Sequence, residues 1–273
     1  MQTNTKLPKK FITTHLLPHL SESTSGRPPK IPLWRIINII IYRLKTGCQW
    51  RELPIAFFCR DIVIAWQTAY YHFNKWSKDG SWKRLWTAFL RIHKAQLDMS
   101  SVQLDGSHTP AKRGGEAVAY QGRKKAKTCN ALFLCDKQGI PLAISTAIGG
   151  NHNDLFEIQI LLDKMFTDLA KSSIDFHGLF LNADAGFDGA KLYRFCEKKE
   201  INPNIMKNKR NSKRVDNEHF VDEKLYQERF VVERTNAWID AFKALLVRFE
   251  TKANNWISLH YLAFTLILAR RTF

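Results

Sequence analysis

The sequence predicts an α/β protein, a mixed sheet flanked by helices, with an all-α domain of helix-turn-helix type ahead of it. Three observations carry this. Before residue 98, apolar residues recur only at helical spacing. From Ser101 onward, short apolar runs read as strands, with a hairpin turn between two of them. After Gly150, helical and strand-like runs alternate, as they do when helices pack on a mixed sheet. The expected division is 1–98 and 99–273.

The elements follow in order. Phe11 to Leu20 is a short amphipathic piece. Ser21 to Lys30 is a polar segment, and Ser25-Gly26-Arg27-Pro28-Pro29-Lys30 within it reads as an extended basic arm. Leu33 to Leu44 places Trp34, Ile37, Ile40, Ile41 and Leu44 on one helical face, and Gly47 is placed to end it. Asp61 reads as the cap of a second helix with Ile62, Ala65, Trp66, Ala69 and Phe73 inward. A third helix is expected from Ser81 to Leu97. Val102–Leu104, Ala131–Leu134 and Leu142–Thr146 read as strands, with Asp136-Lys137-Gln138-Gly139 as the hairpin turn. Asp154 to Leu169 reads as a helix that Asp154 caps. Leu179–Ala183 and Ile201–Ile205 are strands, separated by a helix at about Ala190–Lys199. Lys207 to Asp216 is a basic loop, Glu223 to Phe249 one long helix, and Trp256 to Arg270 a terminal one.

Composition points to a polyanionic partner. Lys and Arg number 42 against 25 Asp and Glu, a net charge of +17, and a chain so basic gains little from its self-repulsion unless it meets a polyanion. The 5 cysteines form no C-x-x-C pair, which fits reduced thiols in a cytoplasm better than a disulfide framework. Met1 to Lys10 has no apolar core of a signal peptide, and Ile36 to Tyr42 is too short an apolar run to span a bilayer.

The chemistry rests on acids. Asp105 follows a strand and precedes Gly106. Asp184 repeats that strand-acid-turn unit in Leu181-Asn182-Ala183-Asp184-Ala185-Gly186. Glu233 is a helical acid, with Arg229 one turn before it to orient it or to meet a phosphate. Carboxylates brought close oppose joint ionisation, and a hard divalent cation removes that penalty. Two ions held this way support in-line phosphoryl displacement. Asp154 and Asp188 are rivals for the third place. Arg123, Lys124, Lys125 and Lys127, and the run from Lys207 to Arg214, read as phosphate clamps beside the acids. His108, His152 and Cys129 lack the spacing of a zinc site.

These residues resemble a known family. Gly26-Arg27-Pro28-Pro29, the stretch Ile41 to Pro54, Leu104-Asp105-Gly106-Ser107, Gly122-Arg123-Lys124-Lys125, Asp136 to Leu142, Gly150 to Asp154, Ala183 to Asp188 and Arg229 to Arg234 occur in the order seen in DDE transposases of bacterial insertion sequences, most nearly insertion-sequence family five. The resemblance implies an RNase H-like catalytic domain, with Asp105, Asp184 and Glu233 as metal-binding catalytic triad and two Mg²⁺ or Mn²⁺ ions. It implies binding to terminal inverted repeats of double-stranded DNA, nicking of the transposon ends and transfer of the 3′-OH to target DNA. It also implies a homo-oligomer, a dimer on DNA, in the bacterial cytoplasm at the nucleoid, and a full-length enzyme ending at Phe273. Tyr226, Arg229 and Glu233 keep part of a Y-x-x-R-x-x-x-E pattern, with Tyr226 and Asp188 as supports of the site. Arg229, Arg234 and Lys243 are further expected DNA contacts. The Lys expected seven residues after Glu233 is Asp240 here, and Lys243 is the candidate substitute. The alternatives are a catalytically inactive DNA-binding regulator derived from a transposase and an RNase H-like nuclease.

Overall fold

The computed structural model describes residues 6–22, 31–208 and 221–272. The basic arm and most of the Lys207 loop lie outside the described residues. A first helical stretch runs through Lys9–Phe11, Ile12–Leu16 and Leu17–His19, and buries Ile12 and Leu16. Helix α1, Leu33–Thr46, ends as the sequence indicates: Gly47 adopts a left-handed φ of 68° and its N–H returns to the Arg43 carbonyl. Two more helices follow, α2 at Trp66–Lys78 and α3 at Ser81–Ile92.

The second helix begins later than expected. Asp61 pairs with Arg35 instead of capping it, and Val63 is fully exposed, so residues 60–65 are a surface connection. The third helix stops at Ile92, which is itself exposed, and a short turn at Lys94–Gln96 follows.

Among the described residues the sheet holds seven strands. They are β1 (Ser101–Pro110), β2 (Ala119–Gln121), β3 (Ala126–Asp136), β4 (Pro141–Ile144), β5 (Ile148–Gly149), β6 (Phe180–Ala183) and β7 (Asn202–Ile205). The order is β2-β3-β1-β6-β7, with β4 and β5 also paired to β3. β3 lies antiparallel to β1, while β6 and β7 run parallel to it. Three antiparallel strands joined to two parallel ones reached through helices is the RNase H-like arrangement. The crossover helices are α4 (Ile158–Lys171) and α5 (Ala190–Lys198). Asp136 makes the β3–β4 turn: its side chain accepts the N–H groups of Gln138, Ile140 and Asp98.

The predicted helix from Glu223 to Phe249 is broken into α6 (Glu223–Gln227), a tight turn at Glu228–Phe230, α7 (Val231–Asp240) and α8 (Lys243–Leu246). Phe242 leaves helical geometry to bury its ring, and Arg248 then runs extended beside Ala111. The last helix, α9 (Ala253–Thr272), is apolar nearly all round and packs on α2, α3 and β4. One apolar core therefore runs from the N-terminal helices into the sheet.

A buried ion pair fastens this junction. Arg43 of α1 meets Glu250 at 2.8 Å, both nearly inaccessible, and Trp50 Nε1 donates to the same carboxylate at 3.0 Å. Removing one partner of such a pair leaves a buried charge uncompensated. Glu250→Ala should lower unfolding free energy by about 3–5 kcal/mol in urea denaturation, and Arg43→Met/Glu250→Leu together should cost clearly less. Equal losses would mean that the charges contribute no more than their packing.

Candidate active site

Asp105 and Asp184 are brought together by strand register. β1 and β6 pair in parallel from Ser101–Phe180 to Leu104–Ala183. The next residue on each strand is an aspartate. Equal offsets on neighbouring parallel strands put side chains on the same sheet face, about 5 Å apart in the backbone. β6 ends there: Asp184 Oδ1 accepts the Gly186 N–H at 2.8 Å and starts a turn. β1 does not end. The expectation that Asp105 stands where its strand becomes a turn is corrected, since β3 remains paired with β1 through Pro110 and Phe133 lies opposite Asp105.

A ladder of buried amides lies on the same face, one step back along the strands. Asn182 Nδ2 donates to Gln103 Oε1 at 2.9 Å, and Asn204 Nδ2 to Asn182 Oδ1 at 2.8 Å. Gln103 Nε2 reaches Ser101 Oγ, which donates to Glu228. The ladder also grips the segment above it. Asn182 donates to the Leu225 carbonyl, Asn204 to the Asp222 carbonyl, and the Asp222 N–H donates back to Asn204 Oδ1. All three amide side chains belong to residues that are buried, where unpaired polar groups are costly. These bonds therefore seat α6 and the turn that leads to α7.

Helix α7 is then fixed from two sides. Thr235 Oγ1 donates to the Gly139 carbonyl at 2.7 Å and the Arg234 guanidinium to the Gln138 carbonyl at 2.6 Å. Gly139 has φ +80°, and a Cβ there would come within 3.0 Å of Val231. On the other side Asn236 Nδ2 donates to Asp105 Oδ2 at 3.2 Å. Glu233 precedes Asn236 by one helical turn and is exposed. Among the described residues, no three His, Cys, Asp or Glu side chains gather closely enough to hold a metal ion. The two aspartates are thus neighbours, while Glu233 stands on the helix beside them with its carboxylate in solvent.

Burial pushes the Asp105 carboxyl up to about 6, and the charges of Asp154 and Asp184 push the same way; the bonds from Asn236 and the Gly106 N–H oppose them. The donors fit a divalent cation. Such an ion takes oxygen ligands, keeps several waters and needs only a few carboxylates, and it would remove the like-charge cost these aspartates carry.

The basic candidates sit at the rim. Arg123, Lys124 and Lys125 form the exposed β2–β3 turn and Lys127 follows on β3. Lys124 Nζ bonds the His108 carbonyl at 2.9 Å, so this turn folds over the far end of β1. Arg229 lies against the rings of Tyr226 and Phe230, at 5.3 and 4.5 Å. Lys243 is exposed at the start of α8 and acts on Asp240, whose carboxyl burial pushes up and Lys243 pulls down. Asp188 accepts the Tyr193 hydroxyl and the Asn208 N–H. Asp154 is not a helix cap: α4 starts at Ile158 and Glu157 precedes it. Sequence reading missed Asn236, Gln103, Asn182 and Asn204. A trace was there, since Asn182 interrupts an otherwise apolar strand and Asn204 lies within the strand read at Ile201–Ile205.

Asp105 ionised at neutral pH costs the metal-free fold. Its folded value lies above its ordinary 3.8, so the cost fades as pH falls from about 6 toward 4. Asp105→Asn should raise metal-free stability at pH 7 by about 1–3 kcal/mol, with the gain shrinking toward pH 4. Thermal unfolding across pH checks both; a destabilised variant at pH 7 would contradict the electrostatic account.

Comparison with known proteins identifies the family. Residues 11–86 match a family model described as a transposase of the IS4/5 family, and residues 96–268 match the transposase DDE domain. The insertion element IS402 uncharacterized 16.2 kDa protein of Burkholderia cepacia is 30% identical over 107 residues, covering 38% of this chain and 70% of that protein. Two solved structures share a loose likeness. The Mos1 transposase paired-end complex with left transposon end is 12% identical, over 92% of this chain and 82% of that one, with a TM-score of 0.30. The pre-cleavage Mos1 transpososome is 11% identical over the same shares, also at 0.30. With the DDE model spanning well over half of its length and the IS4/5 model ahead of it, the chain belongs to the DDE transposases of the IS4/5 insertion-sequence group.

Proposed function

We propose that this DNA transposase binds the terminal inverted repeats of an insertion sequence, nicks the transposon ends and joins the freed 3′-OH to target DNA. Asp105, Asp184 and Glu233 are the catalytic, metal-holding acids. The observation that carries this reading is the register of β1 and β6, which sets Asp105 beside Asp184, each one residue beyond the last paired position of these adjacent parallel strands. When bound, two Mg²⁺ or Mn²⁺ ions would supply an activated water and charge neutralisation for in-line phosphoryl displacement.

The chain's own residues do the rest. Asp105 pairs in register beside Asp184, and Asn236 of the Glu233 helix donates to its Oδ2. The amide ladder and the Gly139 turn hold α7 in place, so that Glu233 is positioned by helix geometry and only its side chain must turn inward. The β2–β3 turn with Arg123, Lys124, Lys125 and Lys127 would meet the DNA backbone beyond the end of β1, with Arg229, Arg234 and Lys243 on the other flank. Contacts of this kind are salt-dependent. The helical N-terminal part, residues 1–98, would add duplex binding, and residues 99–273 the catalysis, within a homodimer assembled on DNA. No helix among the described residues is long and apolar enough to cross a membrane, and the bacterial nucleoid is the proposed place of action.

One observation favours a second reading. Glu233 is exposed and not gathered with the aspartates, as in a catalytically inactive DNA-binding regulator derived from a transposase. A transposon-end duplex with Mg²⁺ separates the two. Wild-type protein should nick it, and Asp184→Ala should lose about 10³-fold or more of that activity, the loss of several kcal/mol of charge stabilisation, while duplex affinity stays within about twofold. Intact cleavage by Asp184→Ala would overturn the triad. No cleavage by either protein, with tight end binding, would favour the regulator.

A further inference from the structure

Helix α7 has a second face. Asn236 reaches Asp105 from one side of it. At about 100° per residue, Glu233 and Asp240 fall within about 60° of Asn236, toward the catalytic side. Arg234 and Trp238 fall about 160° from Asn236, close to the opposite side.

Three parts of the chain meet on that opposite side, and each brings cations. Helix α9 packs against both α7 and α1. Its last turn carries Arg270 and Arg271, both exposed. The Arg271 guanidinium lies over the Trp238 ring at 4.4 Å, and Arg234 over the same ring at 5.5 Å. Arg270 lies 5.9 Å from the Phe242 ring. Lys45, near the end of α1, is close enough to Arg270 to feel its charge. Burial, and after it that charge, push the Lys45 ammonium down to about 8. Among the described residues, Arg234, Arg270 and Arg271 form no ion pair. The helix dipole favours basic residues at the end of α9, but it does not bring Arg234 and Lys45 to the same place. A gathering of like charges with no acid to answer them fits a polyanion that lies across it. The rings also hold the guanidinium planes, so less freedom is lost when they bond phosphate oxygens.

We propose that Arg234, Trp238, Arg270, Arg271 and Lys45 form a second DNA surface, which holds the backbone of the target duplex beyond the phosphate that is attacked. This rests on the proposed function. An enzyme that joins one duplex to another holds both at once, and α7 has acids toward one side and guanidiniums toward the other. A helix is only about 10–12 Å across, so a duplex that crosses the acids can also rest on the far side of α7. Arg270, Arg271, Trp238 and Lys45 act on the backbone, so the surface carries no sequence preference.

Fluorescence anisotropy of the full chain tests this, with a labelled duplex of arbitrary sequence and, separately, the transposon-end duplex, each across NaCl concentrations. Arg270→Gln/Arg271→Gln is compared with wild type and with Lys164→Gln/Lys191→Gln, which removes the same charge from α4 and α5. Both arginines are exposed, and thermal unfolding checks that the fold is kept. The arginine variant should bind the arbitrary duplex about tenfold more weakly, and its plot of log affinity against log salt should be shallower by about two. Transposon-end affinity and nicking should stay within about twofold, while joining of a pre-nicked end to plasmid DNA should fall about tenfold. Arg270→Lys/Arg271→Lys should recover most of the salt slope, and the α4/α5 control should keep it. An unchanged slope and unchanged joining in the arginine variant would overturn this inference and leave the proposed function standing. An equal loss on both duplexes would overturn it too, since the surface would then serve the transposon end. Wild-type protein that neither nicks nor joins, with the slope change still present, would overturn the proposed function and not the surface.

Discussion

The structure depends on a run of buried amides, Gln103, Asn182 and Asn204, that crosses β1, β6 and β7 at one level. In an apolar core a lone amide is a liability, and three that satisfy one another in sequence tolerate only one register. A slip of one residue between β1 and β6 would break the Gln103–Asn182 bond and separate Asp105 from Asp184. The same amides bond the carbonyls of Asp222 and Leu225. One network therefore sets the spacing of two acids and the approach of the helix that carries the third.

Around that network the site is electrostatically unsettled. Asp105 is partly buried near like charges, and the side chain that donates to it is an amide, Asn236, not a cation. Basic residues are numerous, but they stand at the rim: the β2–β3 turn on one side, and Arg229 and Lys243 on the other. A negative floor inside a positive border attracts a cation to the floor and a phosphate backbone to the border. The +17 charge of the whole chain has the same sense. Under the proposed function, stability and activity would oppose each other at Asp105.

Much of this was legible in the sequence. Gly47 ended its helix and Asp136 to Gly139 made its turn because those signals are local, depending on a φ value and on side-chain bonds to nearby backbone. The acids Asp105 and Asp184 could be picked out because each follows an apolar strand. Long-range facts were not legible. The break in the Glu223–Phe249 helix follows from where Phe242 buries its ring, and the placement of Asp154 follows from the space over Gly106. Asp61 resembled a cap because capping residues and ion-pair residues are the same types; Arg35 decided between the two. Asn236 gave no sign at all, since a polar residue on a half-exposed helix is ordinary.

The central claim is that Glu233 joins Asp105 and Asp184 around shared cations, carried there by a helix already seated by the amide network. Crystallography of the chain bound to a transposon-end duplex with Ca²⁺ in place of Mg²⁺ tests it most directly. The account predicts ion density contacted by Asp105, Asp184 and the inward-turned Glu233, with the Gln103–Asn182–Asn204 bonds intact. Ions held by the aspartates alone, with Glu233 still facing solvent, would contradict it.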